Sequence, residues 1–310
     1  MSTIKNYLGL IKFSHTIFAM PFALIGFMLG LYYDPAGIGQ WNLNKYIGWN
    51  NSVLNNISPG ILGTKFLLVV GCMVLARSAA MSFNRYLDRH FDAINPRTAI
   101  REIPSGILKA DSVLWFTIVC SVLFVGCTFF INPLCFYLSP VALLVVLGYS
   151  YTKRFTPLCH IILGVGLSLA PIGAFLAVTG KFDLLPLLFS LAVICWVSGF
   201  DIIYALQDEE FDKSNKLFSI PAAFGKKNAL SVSRVLHVLS ALFIIVAGLS
   251  SLFNWLYWIG ATLFICMLIY QHSLVKPTDL RRVNRAFMTS NGIASVVFAL
   301  FVIADLVIRK

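Results

Sequence analysis

Polar residues are so sparse along this chain that the apolar runs between them define it. Nine stretches, at 13–33, 61–83, 112–131, 134–151, 158–179, 184–203, 230–250, 254–271 and 287–308, are almost wholly apolar. Each is long enough, at about 17 to 23 residues, to cross a hydrocarbon core roughly 30 Å thick as an α-helix. None alternates as a barrel strand would, and unpaired backbone amides in lipid cost several kcal/mol each, so helices are the expected spanning form. Pro21, Pro140, Pro171, Gly164 and Gly166 fall inside these runs, which neighbouring helices accommodate in a membrane. The pattern predicts an all-α, polytopic membrane protein, a single domain over 1–310 with no linker marking a second.

Composition excludes the other classes. The chain is 58% hydrophobic and 12% charged, against about 25% charged in ordinary soluble domains. Disorder, a coiled coil, a fibre and a disulfide-stapled secreted domain are all incompatible with that balance. Seven cysteines lie mostly in apolar runs and form no C-x-x-C; such thiols pack as small hydrophobes, and neither a disulfide framework nor a thiolate metal site is expected. Lys5 and Lys12 precede the first run, but no small-residue cleavage site ends it. It reads as a first transmembrane helix and not as a removed signal.

Charge sets the orientation. The net charge is +11, from 24 Lys and Arg against 13 Asp and Glu. Counted over alternate connections and the span ends beside them, 18 basic residues fall on the side of the N-terminus and five on the other, with Arg77 left inside a span. The positive-inside bias therefore puts the N-terminus in the cytoplasm, with a bacterial inner membrane as the expected location, and the basic excess calls for no nucleic acid. The segment 34–60, with N-x-S matches at Asn50 and Asn56, reads as a solvated loop on the opposite side.

The acids are concentrated. Nine of the 13 (Asp88, Asp92, Glu102, Asp111, Asp201, Asp208, Glu209, Glu210, Asp212) flank two connections on the basic face. Asn84, Asp88 and Asp92 recur every four residues at the end of the second span, which places them on one face of a helix continuing it. Asp201, Tyr204, Asp208 and Asp212 form a similar stripe at the end of the sixth. The two segments align 120 residues apart and both end in D-x-x-F-D, a sign of the internal duplication that membrane folds contain.

Carboxylates stacked at i and i+4 repel one another, and an Asp at the bilayer centre costs about 2.5–3.5 kcal/mol. The arrays therefore belong near the cytoplasmic interface with cations bound to them. Oxygen ligands alone suit Mg²⁺, which takes one or two carboxylates per ion together with substrate phosphates, and a diphosphate would bridge two facing arrays. Arg97 and Arg101 follow the first array, and Lys153-Arg154 closes the fourth span on the same side; such groups suit phosphate or carboxylate oxygens. Lys276, Arg281, Arg282 and Arg285 need no more than the positive-inside bias. Intramembrane acids also mark ion pathways, so a secondary cation transporter, with its acids at the midplane, is the competing reading.

These residues resemble the UbiA superfamily of intramembrane prenyltransferases. Its first motif, N-x-x-x-D-x-x-x-D, is matched by Asn84, Asp88 and Asp92, and its N-x-R-T-x-x-R continuation by Asn95, Arg97, Thr98 and Arg101. Its second motif, with a D-x-x-Y-A lead-in, is matched by Asp201, Tyr204, Ala205, Asp208 and Asp212. The opening run from Lys12 to Phe18 and the stretch from Tyr149 to Arg154 extend the likeness over nearly the whole chain. Within the superfamily the chain looks most like the 4-hydroxybenzoate polyprenyltransferase branch. Where many members carry G-x-K-S after the second motif, this chain has Lys216-Leu217-Phe218-Ser219-Ile220-Pro221, similar to relatives that prenylate a dihydroxynaphthoate in an alternative menaquinone pathway.

The resemblance implies nine helices around a lipid-open central cavity. It also implies Mg²⁺-dependent transfer of a polyprenyl group from an allylic polyprenyl diphosphate to an aromatic acid in ubiquinone biosynthesis, or to a dihydroxynaphthoate in menaquinone biosynthesis. By that likeness Asn84, Asp88, Asp92, Asp208 and Asp212 hold Mg²⁺, and Asp201 lies near the acceptor as the fifth catalytic acid. Arg85, Arg97, Arg101 and Lys153 bind substrate oxygens, and Arg154 grips the acceptor carboxylate. Tyr149 and Tyr204 hold diphosphate oxygens or shape the pocket for the allylic cation, which needs a dry, aromatic-rich cavity. The implied partners are polyprenyl diphosphate, the aromatic acid and membrane lipid, with no obligate protein partner. The base that removes the ring proton has no motif of its own.

Overall fold

Helices follow the apolar runs. The computed structural model describes residues 3–11, 18–32, 59–251 and 253–308; the run 12–17 and the loop bearing Asn50 and Asn56 lie outside them. Thr3–Leu10 (α1) and Met20–Tyr32 (α2) come first, then Pro59–Leu87 (α3) and the short Arg89–Ile94 (α4). Ala110–Ile131 (α5), Pro133–Thr152 (α6), Cys159–Thr179 (α7) and Leu184–Ala205 (α8) form the middle of the chain. The short Glu209–Ser214 (α9), Ile220–Ser250 (α10), Trp255–Leu274 (α11) and Asn291–Ile308 (α12) complete it, with a π-helical turn at Arg285–Ser290 leading into α12. Eight helical stretches are long and apolar enough to cross a membrane, and α2 is a shorter apolar helix. No β-strand occurs among the described residues. This is the expected all-α, multi-pass architecture.

The helix α8 is the hub, with 15 of its 22 residues buried. It packs on α7 and α10, and glycines permit the approach. A Cβ on Gly164 would stand 2.5 Å from Ser198 Oγ, and one on Gly199 would stand 2.3 Å from the His237 ring. Phe22 of α2, Trp196 of α8, Phe264 of α11 and Phe298 of α12 interlock as a ring cluster. The outer helix α6 has the opposite pattern: it buries only Ser139, Ser150 and Thr152, while Tyr137, Val141 and Leu144 face outward. Polar inside and apolar outside is the arrangement lipid demands. Between helices, hydroxyls supply the directional contacts: Ser82 Oγ to Thr117 Oγ1 at 2.8 Å and Ser190 Oγ to Ser168 O at 2.9 Å.

Helix ends inside the bundle are closed by side chains, because their free backbone groups have no water to turn to. Lys65 Nζ donates to Ala177 O at 3.0 Å, and Asn132 Nδ2 donates to Leu176 O at 2.9 Å, covering the last carbonyls of α7. Asp305, fully buried, accepts from the backbone amides of Asn254 and Tyr257 at the start of α11. Two starts differ from the hydropathy reading: the helix of the first run begins at Met20 and not at 13, and that of the seventh differs most. The helix of the seventh run, α10, begins ten residues early, at Ile220 and not at 230. Ser219 caps it, Pro221 sits in its first turn, and Gly225, at φ 76° and ψ 162°, breaks it before the long apolar part. Glycine takes that conformation without a Cβ clash.

Candidate active site

Both acidic arrays are built by the same local device. The backbone of α3 turns at Asp88 (φ −89°, ψ 6°) and restarts as the six-residue α4, with Asp88 N–H still on Asn84 O and Asp92 N–H on Asp88 O. The backbone of α8 passes through a 3₁₀ turn over Leu206–Asp208, turns at Asp208 (φ −101°, ψ 3°), and restarts as the six-residue α9. The first Asp of each D-x-x-F-D thus sits in the sparsely populated bridge region at the head of a short helix, where a carboxylate favours the helix dipole. These breaks correct the expectation of two straight stripes. Each array is re-aimed at its midpoint, and Asp201 is left about two turns behind the bend at Asp208.

Cations from two separate connections, α4–α5 and α6–α7, converge on the four distal carboxylates. Arg97 grips Asp208 with two parallel bonds, Nε to Oδ1 at 3.0 Å and Nη2 to Oδ2, and its Nη1 donates to the Tyr204 hydroxyl at 2.9 Å. Arg101 Nη1 lies 2.6 Å from Asp92 Oδ1. Arg154 Nη2 lies 3.2 Å from Asp88 Oδ1 and also donates to Leu87 O. Lys153 Nζ lies 2.7 Å from Asp212 Oδ1, whose other oxygen accepts from Ser219 Oγ at 2.8 Å. The continuation of the first motif therefore reaches across to the second array, and the ends of α3, α6 and α8 meet at one end of the bundle. Acids gathered there, beside Arg and Lys, are not the midplane acids of an ion pathway.

Under this belt lies a cavity of about 430 Å³. Asn84, Arg85, Asp88, Asp92, Arg97, Arg101, Tyr149, Lys153, Arg154, Asp201, Tyr204 and Asp208 all line it, while Asp212 is fully buried behind the wall. Phe18, Leu163, Leu167, Val197, Phe200 and Phe287 give it an apolar side. Two basic residues that sequence reasoning did not assign to the site also line it. Arg77, seven residues and so two turns before Asn84, carries a buried Nε with no hydrogen-bond partner. His160, 3% exposed, holds Asp201 Oδ2 at 2.7 Å through Nδ1. The available signals were the helical register of Arg77 with Asn84, and the placement of His160 just beyond Lys153-Arg154.

The donor set fits a hard cation. Asp92 is 5% exposed, and its Oδ2 is buried without a hydrogen-bond partner. No three His, Cys, Asp or Glu converge into a ready cage among the described residues. Mg²⁺ takes one or two carboxylates per ion and completes its shell with phosphate and water. Burial pushes the Asp88 carboxyl up to about 6, against the pull of Arg154.

Comparison with known proteins bears on what such a site does. The description of the UbiA prenyltransferase family matches residues 52–293. The 4-hydroxybenzoate octaprenyltransferase of Aeromonas hydrophila is 31% identical over 242 residues, 77% of this chain and 82% of its own. The apo structure of a UbiA homolog from Aeropyrum pernix K1 superposes with a TM-score of 0.74 at 25% identity, over 95% of this chain and 98% of that one. A UbiA homolog from Archaeoglobus fulgidus, solved with GPP and Mg²⁺ bound, gives a TM-score of 0.72 over 97% of this chain and 99% of its own; at 17% identity it speaks for the fold alone.

Proposed function

The chain belongs to the UbiA prenyltransferase family, and from that premise we propose that it transfers a polyprenyl group from an allylic polyprenyl diphosphate to an aromatic acid of the 4-hydroxybenzoate type, releasing diphosphate. The observation that carries this reading is the meeting of two acidic arrays, with their cations, over a cavity whose opposite side is apolar and aromatic. The Aeromonas relative named for this acceptor supports the choice.

Asn84, Asp88, Asp92, Asp208 and Asp212 would hold Mg²⁺, which when bound neutralises the charge growing on the departing diphosphate. Arg97, Arg101, Lys153 and Arg154 now neutralise the aspartates; a diphosphate offers the same cations stronger partners, since guanidinium and ammonium groups bind phosphate oxygens well. The prenyl C–O bond breaks with its electron pair going to diphosphate. Phe18, Phe200, Tyr204 and Phe287 flank the allylic carbon, exclude water and face its positive charge. Arg77, which lines the cavity and has a buried Nε without a hydrogen-bond partner, takes the acceptor carboxylate, while Arg154 turns with Arg97, Arg101 and Lys153 to the diphosphate. The acceptor ring carbon then attacks beside Asp201. The excess of Lys and Arg on the connections bearing the site supports a cytoplasmic active site.

A second acceptor, a dihydroxynaphthoate of menaquinone biosynthesis, is favoured by the segment after the second array. Lys216 is exposed, at φ 55°, and Ser219 is bound to Asp212. No lysine of this segment lines the cavity. Mass spectrometry of the products made by membranes given geranyl diphosphate, Mg²⁺ and each acid in turn tests both readings. A prenylated hydroxybenzoate supports the first, a prenylated hydroxynaphthoate the second, and no transfer to either removes both.

A further inference from the structure

The imidazole of His160 has no part in the reaction as described so far, yet it is the most constrained polar group on the cavity wall. It stands in the first turn of α7, 3% exposed. Its Nδ1 lies 2.7 Å from Asp201 Oδ2, and its Nε2 accepts from the backbone N–H of Ile220 at 3.4 Å. Ser198 Oγ donates to its own carbonyl at 3.1 Å. An N–H aimed at Nε2 requires a lone pair there, so the proton of the neutral ring sits on Nδ1 and is donated to Asp201. One carboxylate oxygen of Asp201 is thereby pinned. The other hydrogen-bonds to no described residue, and Asp201 lines the cavity.

Resting on the prenyltransferase reading, we infer that His160 is a positioning residue that holds Asp201 with one oxygen turned to the acceptor, so that this oxygen receives the ring proton after prenylation. In that step the new C–C bond has formed from the ring's π electrons. The C–H electron pair at the attacked carbon returns to the ring, and the proton moves to Asp201. His160 loses nothing and gains nothing; it fixes the orientation of the carboxylate, as second partners fix catalytic groups elsewhere. The Ile220 contact ties this arrangement to the segment through which Ser219 holds Asp212, so acceptor and diphosphate ends share one support.

The test uses the full chain in lipid nanodiscs, with geranyl diphosphate, Mg²⁺ and 4-hydroxybenzoate or a dihydroxynaphthoate deuterated at the attacked carbon. His160→Phe keeps the ring's bulk and removes the donor. It is expected to lower kcat by about 10–100-fold, to leave KM for geranyl diphosphate unchanged, and to unmask a deuterium isotope effect absent from the wild type. His160→Asn, which keeps a donor at the δ position, restores most of the rate. A loss of rate with no isotope effect and a raised KM for geranyl diphosphate would make His160 a packing residue and overturn the inference. ¹⁵N spectra of histidine-labelled protein separate this outcome from failure of the acceptor reading. A neutral Nδ1–H ring that shifts in Asp201→Asn supports the dyad even if neither acid is prenylated; a His160 signal indifferent to Asp201→Asn sinks it.

Discussion

Each distal aspartate at the cavity mouth has a cationic partner, and that pairing decides what a substitution there does. Asp92→Asn keeps the size and can still accept from Arg101, but it loses the charge of the orphaned Oδ2. Diphosphate release at saturating Mg²⁺ is expected to fall by about 100-fold or more, the usual loss when one electrostatic group is removed from a charged transition state. Asp88 is held up to about 6 by burial, and a carboxyl must lose its proton before it can ligate. The Mg²⁺ concentration for half-maximal rate should therefore rise as pH falls through about 6 and be level above it, which a Mg²⁺ titration at several pH values reads directly. At this scale the sequence displayed the aspartates, because their spacing is itself unusual in an apolar chain. It marked His160 and Arg77 only faintly, because a register two turns from Asn84 or a place just past Lys153-Arg154 is a weak signal in an apolar run; only the cavity reveals what they face.

Helices were legible wherever lipid demands a continuous apolar run, and their ends matched to within a few residues for α5 through α8. The bends at Asp88, Asp208 and Gly225 were not, because a turn of one residue leaves hydropathy unchanged and is decided by backbone bonds and neighbours. Asp305 makes the same point with an acid that lies outside the cavity. It accepts from two amides at the start of α11, so Asp305→Ala should cost about 1–2 kcal/mol and lower the melting temperature in detergent by a few degrees. Asp305→Asn, which keeps one acceptor, should cost less. Prenyl transfer per folded molecule should be unaffected by either, and a selective loss of turnover without a thermal shift would contradict the capping role.

Across the whole molecule, the π-helical turn and α12 run from Phe287, whose ring lies 4.3 Å from that of Tyr204, to Asp305 at the opposite end of the bundle. On the proposed cytoplasmic placement of the arrays, a reporter fused after α12 should therefore emerge outside: alkaline phosphatase active, green fluorescent protein dark. The reverse pattern would invert the orientation. The matched bends at Asp88 and Asp208 have a further consequence. Two like claws, one from each half of the chain, suit a guest with two like ends. A prenyl monophosphate would fill one and leave the other grasping only its own arginine, so geranyl monophosphate should compete feebly with geranyl diphosphate, whereas methylene bisphosphonate, with no prenyl tail at all, should compete well.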